Sequence, residues 1–437
     1  DSIFHWENLF IFTLKFKNRL MKRRFKVGLL LKIVIAIVLG LTFSTFLPTP
    51  GVRIFVTINS IFSNFLSFSI PLIIVGLVAP GIADLGSGAG KLLGITALVA
   101  YISTLFAGFF SYFTCLATFP YLLPGGGVHE VSAAGTAAVE ATNPLASITS
   151  ATIPPFFTID MPPFMDVVSA LVFSFILGLG LAALPGRTFK DALNEFGEVI
   201  NLLIGKVIVP LLPLYIFGIF LKMGAEGQAV QVMSLFLKVI IIIFVMHIAL
   251  LLIQYAIAGA IAKRNPLKLL RIMLPAYATA LGTQSSAATI PVSLQQTIKM
   301  GVHPDLAGFV VPLCATIHLS GSILKIVACA LAIMWMTPDT FPITFELYAG
   351  FIFMLGIAMV AAPGVPGGAI MAALGLLASI LGFNAELQAL MIALYITMDS
   401  FGTAGNVTGG GAIAVIMDKI YRNMLKKGDA ETPKIAA

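Results

Sequence analysis

Seven stretches of the chain contain no Asp, Glu, Lys or Arg over at least the thickness of a bilayer: 33–52, 54–83, 92–129, 167–186, 239–262, 272–298 and 347–385. A helix needs about 20 such residues to cross the hydrocarbon core. The runs are continuous rather than alternating, which favours helices over a barrel. Because 59% of the residues are hydrophobic and 10% are charged, the composition excludes a soluble globular protein. The pattern predicts an all-α polytopic membrane protein.

Basic residues predict the orientation in the cell membrane. Seven of them lie within residues 15–26, and Lys426 and Lys427 lie near the C-terminus, so we expect both termini in the cytoplasm. Residues 121–166 contain four acidic residues and no Lys or Arg, as expected of an extracellular loop. The net charge of +7 therefore requires no nucleic-acid partner. Residues 1–26 form either an amphipathic helix on lipid headgroups or a topology determinant only.

Two other sequence features point away from secreted or metal-binding proteins. Cys115, Cys314 and Cys329 lie in apolar segments without paired spacing, which indicates neither a disulfide nor a metal site. No cleavable signal peptide is expected, because the first apolar run has a bilayer's length and no small-residue cleavage site follows it.

Asp399 is an isolated acid, preceded by 12 residues and followed by 18 residues without charge. A carboxylate at membrane depth is costly, so it faces a protein interior, a cavity or a partner. Glycines, Thr403 and Asn406 follow it, and such residues suit backbone that lines a cavity. We interpret this stretch as a binding site. The alternative is a glycine-rich packing seam with an Asp that snorkels to the interface.

Two uncharged runs have polar or proline-rich centres. The run 272–298 has basic residues on both sides and the pair Ser285-Ser286 near its middle, which predicts a re-entrant hairpin entering from the cytoplasm. The run 347–385 has Pro363-Gly364-Val365-Pro366-Gly367-Gly368 at its centre, which predicts a hairpin entering from outside. Interrupted segments in matching positions point to a substrate site near the bilayer midplane.

A membrane crossing follows each hairpin. The first crossing (about 306–337) contains the polar stretch 316–322, and the second contains Asp399. The first hairpin and its crossing start from the cytoplasmic side, and the second hairpin and its crossing start from the outer side. Two such units of opposite orientation form an inverted repeat.

These motifs carry a family resemblance. Ser285-Ser286-Ala-Ala-Thr289-Ile-Pro291, the proline-glycine stretch 363–368, and Asp399 followed by Asn406-Val-Thr-Gly resemble the dicarboxylate/amino acid:cation symporters, the glutamate-transporter homologues. The resemblance covers about residues 27–422. It implies a homotrimer with eight transmembrane helices and two re-entrant hairpins, in which a scaffold holds an elevator-type transport domain.

The resemblance also implies a division of the chain. Scaffold helices would lie in 27–83 and 167–222, and transport-domain segments in 84–120 and 223–422. The remaining segments would be the cytoplasmic N-terminal segment 1–26, the extracellular loop 121–166 and the cytoplasmic tail 423–437.

The family's roles fall on particular residues. Asp399 would bind a substrate amine, Asn406 and the tip Ser285-Ser286 a carboxylate, and Ser322 a further polar group. Residues 363–368, among them Gly364, Val365, Pro366 and Gly367, would form the outer gate, and Thr403 would lie beside the substrate. Cation binding or coupling would involve Ser103, Thr104, Thr316, His318, Ser320, Asn406 and Gly410.

The sequence departs from the family at three positions. Gly402 stands where members that carry acidic amino acids have an Arg. Ser320 and Gly410 stand where cation-binding acids are expected. Reduced sodium coupling, or coupling to protons through His318 and Lys325, is therefore expected.

Lys325 is an additional intramembrane cation, and three interpretations of it stay open. It could bind a substrate carboxylate in place of the absent Arg. It could replace a lost sodium ion and pair with Asp399 in the empty carrier. It could instead snorkel to the outer interface.

The sequence thus predicts a secondary active transporter for a small amino acid or a dicarboxylate, not an enzyme. No cofactor is expected beyond sodium or a proton as coupling ion. A sodium-independent exchanger is the alternative. A channel is less favoured because repeated acid rings are absent, and an intramembrane serine hydrolase because no nucleophile-elbow pattern accompanies Ser285, Ser286 and His318.

Overall fold

The computed structural model describes residues 28–86, 91–123, 153–227, 229–336, 343–360, 362 and 366–426. Every regular element among them is helical. Residues 1–26, most of the extracellular loop, and Gly364 and Val365 of the gate lie outside the described residues. The α-helices are α1 (Leu29–Ser44), α2 (Thr49–Gly86), α3 (Lys91–Leu122), α4 (Val167–Ala183), α5 (Thr188–Leu203), α6 (Val209–Ala225), α7 (Ala229–Ala262), α8 (Pro266–Thr283), α9 (Ser286–Lys299), α10 (Pro304–Ile317), α11 (Ser320–Met336), α12 (Phe345–Val360), α13 (Gly368–Ser379), α14 (Ala385–Thr397) and α15 (Asp399–Lys426).

Several spans are long and apolar enough to cross a bilayer. Within the described ranges there are five: Thr49–Ala83, Leu92–Leu122, Thr188–Ala225, Phe236–Ala262 and Pro304–Met336. Five shorter apolar helices accompany them. The structure thus agrees with a multi-pass helical membrane protein, and the number of eight crossings stays a prediction.

The fifth predicted crossing is longer than the sequence indicated. The apolar run predicts a helix over about 195–221, whereas the span runs from Thr188 to Ala225, with the π-helical turn Ile204–Ile208 joining α5 to α6. Asp191 lies in the first turn of α5, where a carboxylate is stabilised by the helix dipole. The helix therefore begins at Thr188, before the predicted start at about residue 195, and includes charged residues such as Asp191 in its first turns.

The helices pack in two groups. Helices α1, α2, α4, α5 and α6 contact mainly one another, with α1 on α6 and α4 on α2. The second group is built around α11 and α15, which contact each other, and α15 also contacts α8, α9 and α10. Helices α13 and α14 lie between the groups, since α13 contacts α2 and α14 contacts α1 and α6.

Helix α11 is the centre of the second group. All its side chains are buried, and it packs against α3, α7, α14 and α15. A helix that is apolar around its whole circumference is enclosed by other helices rather than by lipid on one side. A polar side chain on α11 therefore has to find its partners within the protein.

Three helix interruptions position the polar residues. Gln284 and Ser285 separate α8 from α9, and His318 and Leu319 separate α10 from α11, both inside the stretches that the sequence marked as polar. A third interruption, at Met398, separates α14 from α15, where the sequence predicted one crossing through Asp399. Met398 has φ −111° and ψ 10°, and its carbonyl accepts bonds from the N–H groups of Phe401 and Gly402.

Candidate functional site

Asp399 is the first residue of α15 and is buried. Its Oδ2 accepts a 2.8 Å hydrogen bond from the N–H of Gly367, at the start of α13. Its Oδ1 lies 3.5 Å from Nζ of Lys325. A carboxylate at a helix N-terminus is favoured by the helix dipole. Asp399 thus contacts both Gly367, which directly precedes α13, and the ammonium of Lys325 on α11.

Lys325 is fully enclosed, with 2% of the residue exposed. Its Nζ donates a 3.2 Å hydrogen bond to the carbonyl of Met398 and lies 3.8 Å from the centre of the Tyr395 ring. A carboxylate, a carbonyl and an aromatic face all favour an ammonium in a dry environment. The structure therefore shows the pairing with Asp399 and not a lysine that snorkels to the interface.

Gly402 makes room for that ammonium. A Cβ at position 402 would lie 2.2 Å from Nζ and 2.3 Å from Cε of Lys325, which is shorter than any van der Waals contact. A side chain at position 402 and the present conformation of Lys325 thus exclude each other. The cation in this site is Lys325 of α11. In the family that the sequence resembles, the cation would be an Arg at the position of Gly402, on α15.

Asn406 closes the start of α11. Its Oδ1 accepts bonds from the N–H groups of Gly321 (2.8 Å) and Ser322 (3.1 Å) in the first turn of α11, where N–H groups lack a partner four residues earlier in the helix. The N–H of Ser322 also donates to the carbonyl of Leu319 at 3.1 Å. Its Nδ2 donates to Oγ of Ser322 at 2.9 Å, and the hydroxyl of Tyr395 donates to the same Oγ at 3.0 Å. In this arrangement Asn406 and Ser322 stabilise the helix break. Their predicted contacts with substrate stay predictions.

A second polar cluster lies behind the break in α10–α11. Nε2 of His318 is 3.0 Å from Oγ of Ser103, and its Nδ1 is 3.4 Å from the carbonyl of Asn406. Nε2 of Gln254 donates to Oγ of Ser103 (3.3 Å) and of Ser320 (3.1 Å). The side chains in this hydrogen-bonded set include hydroxyls, an amide and an imidazole but no carboxylate. The cluster ties α3, α7 and α11 together.

Gln254 and Tyr395 were missed by the sequence analysis. Gln254 lies seven residues after His247 in an otherwise apolar run, which places both on one face of α7 about two turns apart. His247 lies against Gly405 of α15, where a Cβ would be 2.7 Å from its Cε1. Two polar residues at this spacing were the available indication that α7 faces the site.

The hairpin tip between α8 and α9 reaches the same region. Ser285 caps α9, since its Oγ accepts a bond from the N–H of Ala288, and Ser286 is buried. Gln284 adopts a left-handed conformation (φ 53°), and its Nε2 donates a 2.8 Å bond to Oγ of Ser400. The tip is thus fixed next to Asp399 by a side chain that the sequence analysis did not select.

Three predicted coupling residues lie apart from the His318 cluster. The side chain of Thr316 is exposed and donates to the carbonyl of Leu313. Thr104 is buried and donates to the carbonyl of Ala100. At Gly410 a Cβ would meet only Cβ of Cys314, at 3.2 Å. Of the remaining predicted substrate residues, Thr403 is buried on the first turns of α15 and Pro366 precedes Gly367.

Comparison with known proteins extends this description. The sequence profile of the sodium:dicarboxylate symporter family matches residues 29–420. The serine/threonine transporter SstT of Acinetobacter baumannii is 26% identical over 392 residues, which is 87% of this chain and 94% of that protein. SstT of Streptococcus agalactiae is 26% identical over 368 residues (81% and 86%), and an uncharacterized symporter of Haemophilus influenzae is 28% identical over 291 residues (62% and 65%).

Proposed function

This chain belongs to the sodium:dicarboxylate symporter family, and from that premise we propose that it carries a small amino acid across the cell membrane through a site at Asp399. Its family and its relatives are transporters rather than enzymes. The observation that carries the proposal is the buried pair of Asp399 and Lys325 at the junction of α11, α14 and α15. Charges so expensive to bury are retained in membrane proteins mainly for substrate or ion pathways.

The substrate proposal combines the relatives with one position of this chain. Relatives covering most of the chain are named as serine/threonine transporters, and serine and threonine carry an amine and one carboxylate. Gly402 supplies no guanidinium for a second carboxylate. We therefore favour a small neutral amino acid. A dicarboxylate is the second candidate, because Lys325 provides a cation that could bind it.

We propose an elevator mechanism in a homotrimer, with eight membrane helices and two re-entrant hairpins. Residues 27–83 and 167–222 would form the scaffold, and 84–120 and 223–422 the transport domain. The two packing groups of helices support this division, since α3 packs with the second group although it lies between scaffold helices in sequence. The helix pairs α8–α9 and α12–α13 support the hairpins, because each pair is in contact around a short connection.

We propose that sodium coupling is weak or limited to one ion, or is replaced by protons or exchange. Sodium prefers oxygen ligands, and the site has to compensate the energy of dehydration. Ser320 is bonded to Gln254, and Gly410 adds no ligand, so the expected carboxylates are absent from both positions. His318, bonded to Ser103, is the group that could carry a proton in that cluster.

Uptake by proteoliposomes tests the proposed function. The purified protein would be supplied with labelled L-serine, L-threonine, L-aspartate and succinate, each with a sodium gradient, a proton gradient, no gradient, or internal unlabelled substrate. Uptake of serine or threonine that exceeds uptake of the acids supports the proposal. Equal leakage of all four in wild-type and empty liposomes would refute it.

A further inference from the structure

Lys325 and Asp399 together make the centre of the site electrically neutral before any substrate arrives. The two groups lie 3.5 Å apart, and both side chains are almost completely buried. An unpaired carboxylate in such surroundings would have to bind a cation or take up a proton. In this protein the ammonium of Lys325 supplies the positive charge that pairs with Asp399.

The helix break arranges both charges favourably. Met398 caps the C-terminal end of α14, where free carbonyls carry partial negative charge, and its carbonyl accepts the bond from Lys325. Asp399 begins α15, where free N–H groups carry partial positive charge. Each charge thus sits at the helix end that stabilises it, and the Tyr395 ring covers the ammonium.

Other titratable groups face this pair from the neighbouring helices. They are Cys329 of α11, Tyr395 of α14 and His247 of α7. His318 belongs to the separate cluster with Ser103. Within the described residues that face the pair, none of these is a second acid with the strength of Asp399. The ammonium of Lys325 is therefore the charge that compensates Asp399.

From this geometry we infer that Lys325 is a built-in counter-ion that takes the place of a bound cation at Asp399 and selects substrates of zero net charge. A zwitterionic amino acid can place its amine on Asp399 and its carboxylate on the displaced ammonium, so the loaded site stays neutral. A dicarboxylate would leave a net negative charge that needs additional cations. This inference rests on the proposed function, since it places the substrate at Asp399.

Gly402 is the specificity-determining partner of this arrangement. The Cβ of any other residue would occupy the space of Nζ and Cε of Lys325. A substitution of Gly402 by Ala therefore displaces the ammonium while keeping both charges in the chain. It offers an independent way to release Asp399 without removing the lysine.

The first test needs no substrate. Binding of radioactive sodium and thermal unfolding in sodium or choline chloride would be measured for the purified, substrate-free wild type, Lys325→Met, Gly402→Ala and Lys325→Met/Asp399→Asn. Lys268→Met, at an exposed lysine, is the matched control. We expect Lys325→Met and Gly402→Ala to gain either a bound sodium ion or stability that increases as the pH is lowered. The double variant and the control should gain neither.

The second test uses labelled L-serine, L-aspartate and succinate with the same proteins. We expect serine binding to wild type to be nearly equal in sodium and choline. Binding to Lys325→Met should strengthen at least about tenfold when sodium is added or the pH is lowered, a change of about one logarithmic unit in affinity. Lys325→Met/Gly402→Arg, which supplies a cation from α15, should regain independence from sodium.

The outcomes separate the inference from the proposed function. If neither Lys325→Met nor Gly402→Ala gains a cation or proton dependence, Lys325 is not a counter-ion. If wild type binds succinate more tightly than serine, the selection of neutral substrates is wrong. If wild type binds none of the three probes, the proposed function fails, while the sodium measurement on the substrate-free protein still decides the role of Lys325.

Discussion

Gln284, in the turn between α8 and α9, donates a 2.8 Å hydrogen bond to Ser400, the residue that follows Asp399. Gln284 holds a left-handed backbone conformation with φ 53°, which costs a residue with a Cβ about 1 kcal/mol. Only Lys263 shares a positive φ among the non-glycine residues that the structure describes. The bond to Ser400 offsets this strain by fixing the tip of the hairpin against the binding region.

A pair of substitutions at Gln284 separates the strain from the hydrogen bond. Both Gln284→Ala and Gln284→Gly lose the bond to Ser400, so both should raise the KM for uptake. Gln284→Gly removes the backbone strain and should unfold at a higher temperature than Gln284→Ala, by about 1 kcal/mol in stability. An alanine variant with wild-type KM would show that the tip is not held by this bond.

Asp399→Asn should abolish or strongly reduce uptake of an amino acid. Removing one charge of a desolvated contact costs about 2 kcal/mol or more, equivalent to about a 30-fold loss of affinity. Asp191→Asn, at an exposed acid in the first turn of α5, is the control and should transport normally. Wild-type uptake by Asp399→Asn would remove this residue from the site.

A guanidinium introduced at position 402 should change selectivity only when Lys325 is also shortened. Gly402→Arg alone displaces Nζ of Lys325, from which the Cβ would otherwise lie 2.2 Å, and brings two cations to one carboxylate, so we expect low activity. Gly402→Arg/Lys325→Ala has room for the Arg, whose guanidinium binds a carboxylate with two hydrogen bonds. In the presence of sodium, which compensates the added negative charge, this variant should gain competition by aspartate relative to serine. Competition assays would measure this. Tight aspartate binding by Lys325→Ala alone would argue against a role for either cation.

Gly410→Asp should raise the sodium dependence of uptake if this position belongs to a lost cation site. Its Cβ would approach Cβ of Cys314 to 3.2 Å, so α10 has to move by a few tenths of an ångström. Gly410→Ala carries the same Cβ without the carboxylate and isolates that steric effect. Equal sodium dependence of the two variants would indicate that position 410 does not bind sodium in this protein. Steep multi-ion dependence of the wild type would contradict the proposed weak coupling itself.

A contact between the two packing groups provides a test of the elevator proposal. Lys222 of α6 lies 2.5 Å from Glu386 at the start of α14, and the hydroxyl of Tyr215 donates to the carbonyl of Ala385. If α14 travels past α6, both contacts have to break in each cycle. A reversible thiol cross-linker joining Lys222→Cys to Glu386→Cys should therefore stop uptake, and reduction should restore it. Undiminished uptake by the cross-linked protein would exclude relative movement at this point.

The class of the protein and the helix breaks at Gln284 and His318 follow from the sequence, which also indicates Asp399 as a candidate site residue. These features depend on the free energy of transferring each side chain from water into the bilayer and on the backbone preference of each residue. Both quantities are properties of single residues, so the sequence contains them. Uncharged runs have to lie in the bilayer. Polar and proline-rich centres within them interrupt helices and therefore need protein or water around them. The breaks at Gln284 and His318 accordingly lie inside the predicted polar stretches.

Which polar groups meet depends on how the helices pack in three dimensions. Lys325 could have pointed to substrate, to Asp399 or to the interface, and the choice depends on the rotation and depth of α11 relative to α15. Packing also places Gln254 against Ser320 and the Tyr395 ring against Lys325, although neither residue was predicted to belong to the site. Thr316, which was predicted to belong to it, is exposed, and the last helix is interrupted at Met398. Lateral contacts between helices depend on packing against several neighbours at once. The periodicity of one segment does not contain that information, so the pairing of Lys325 with Asp399 emerged from the assembled fold.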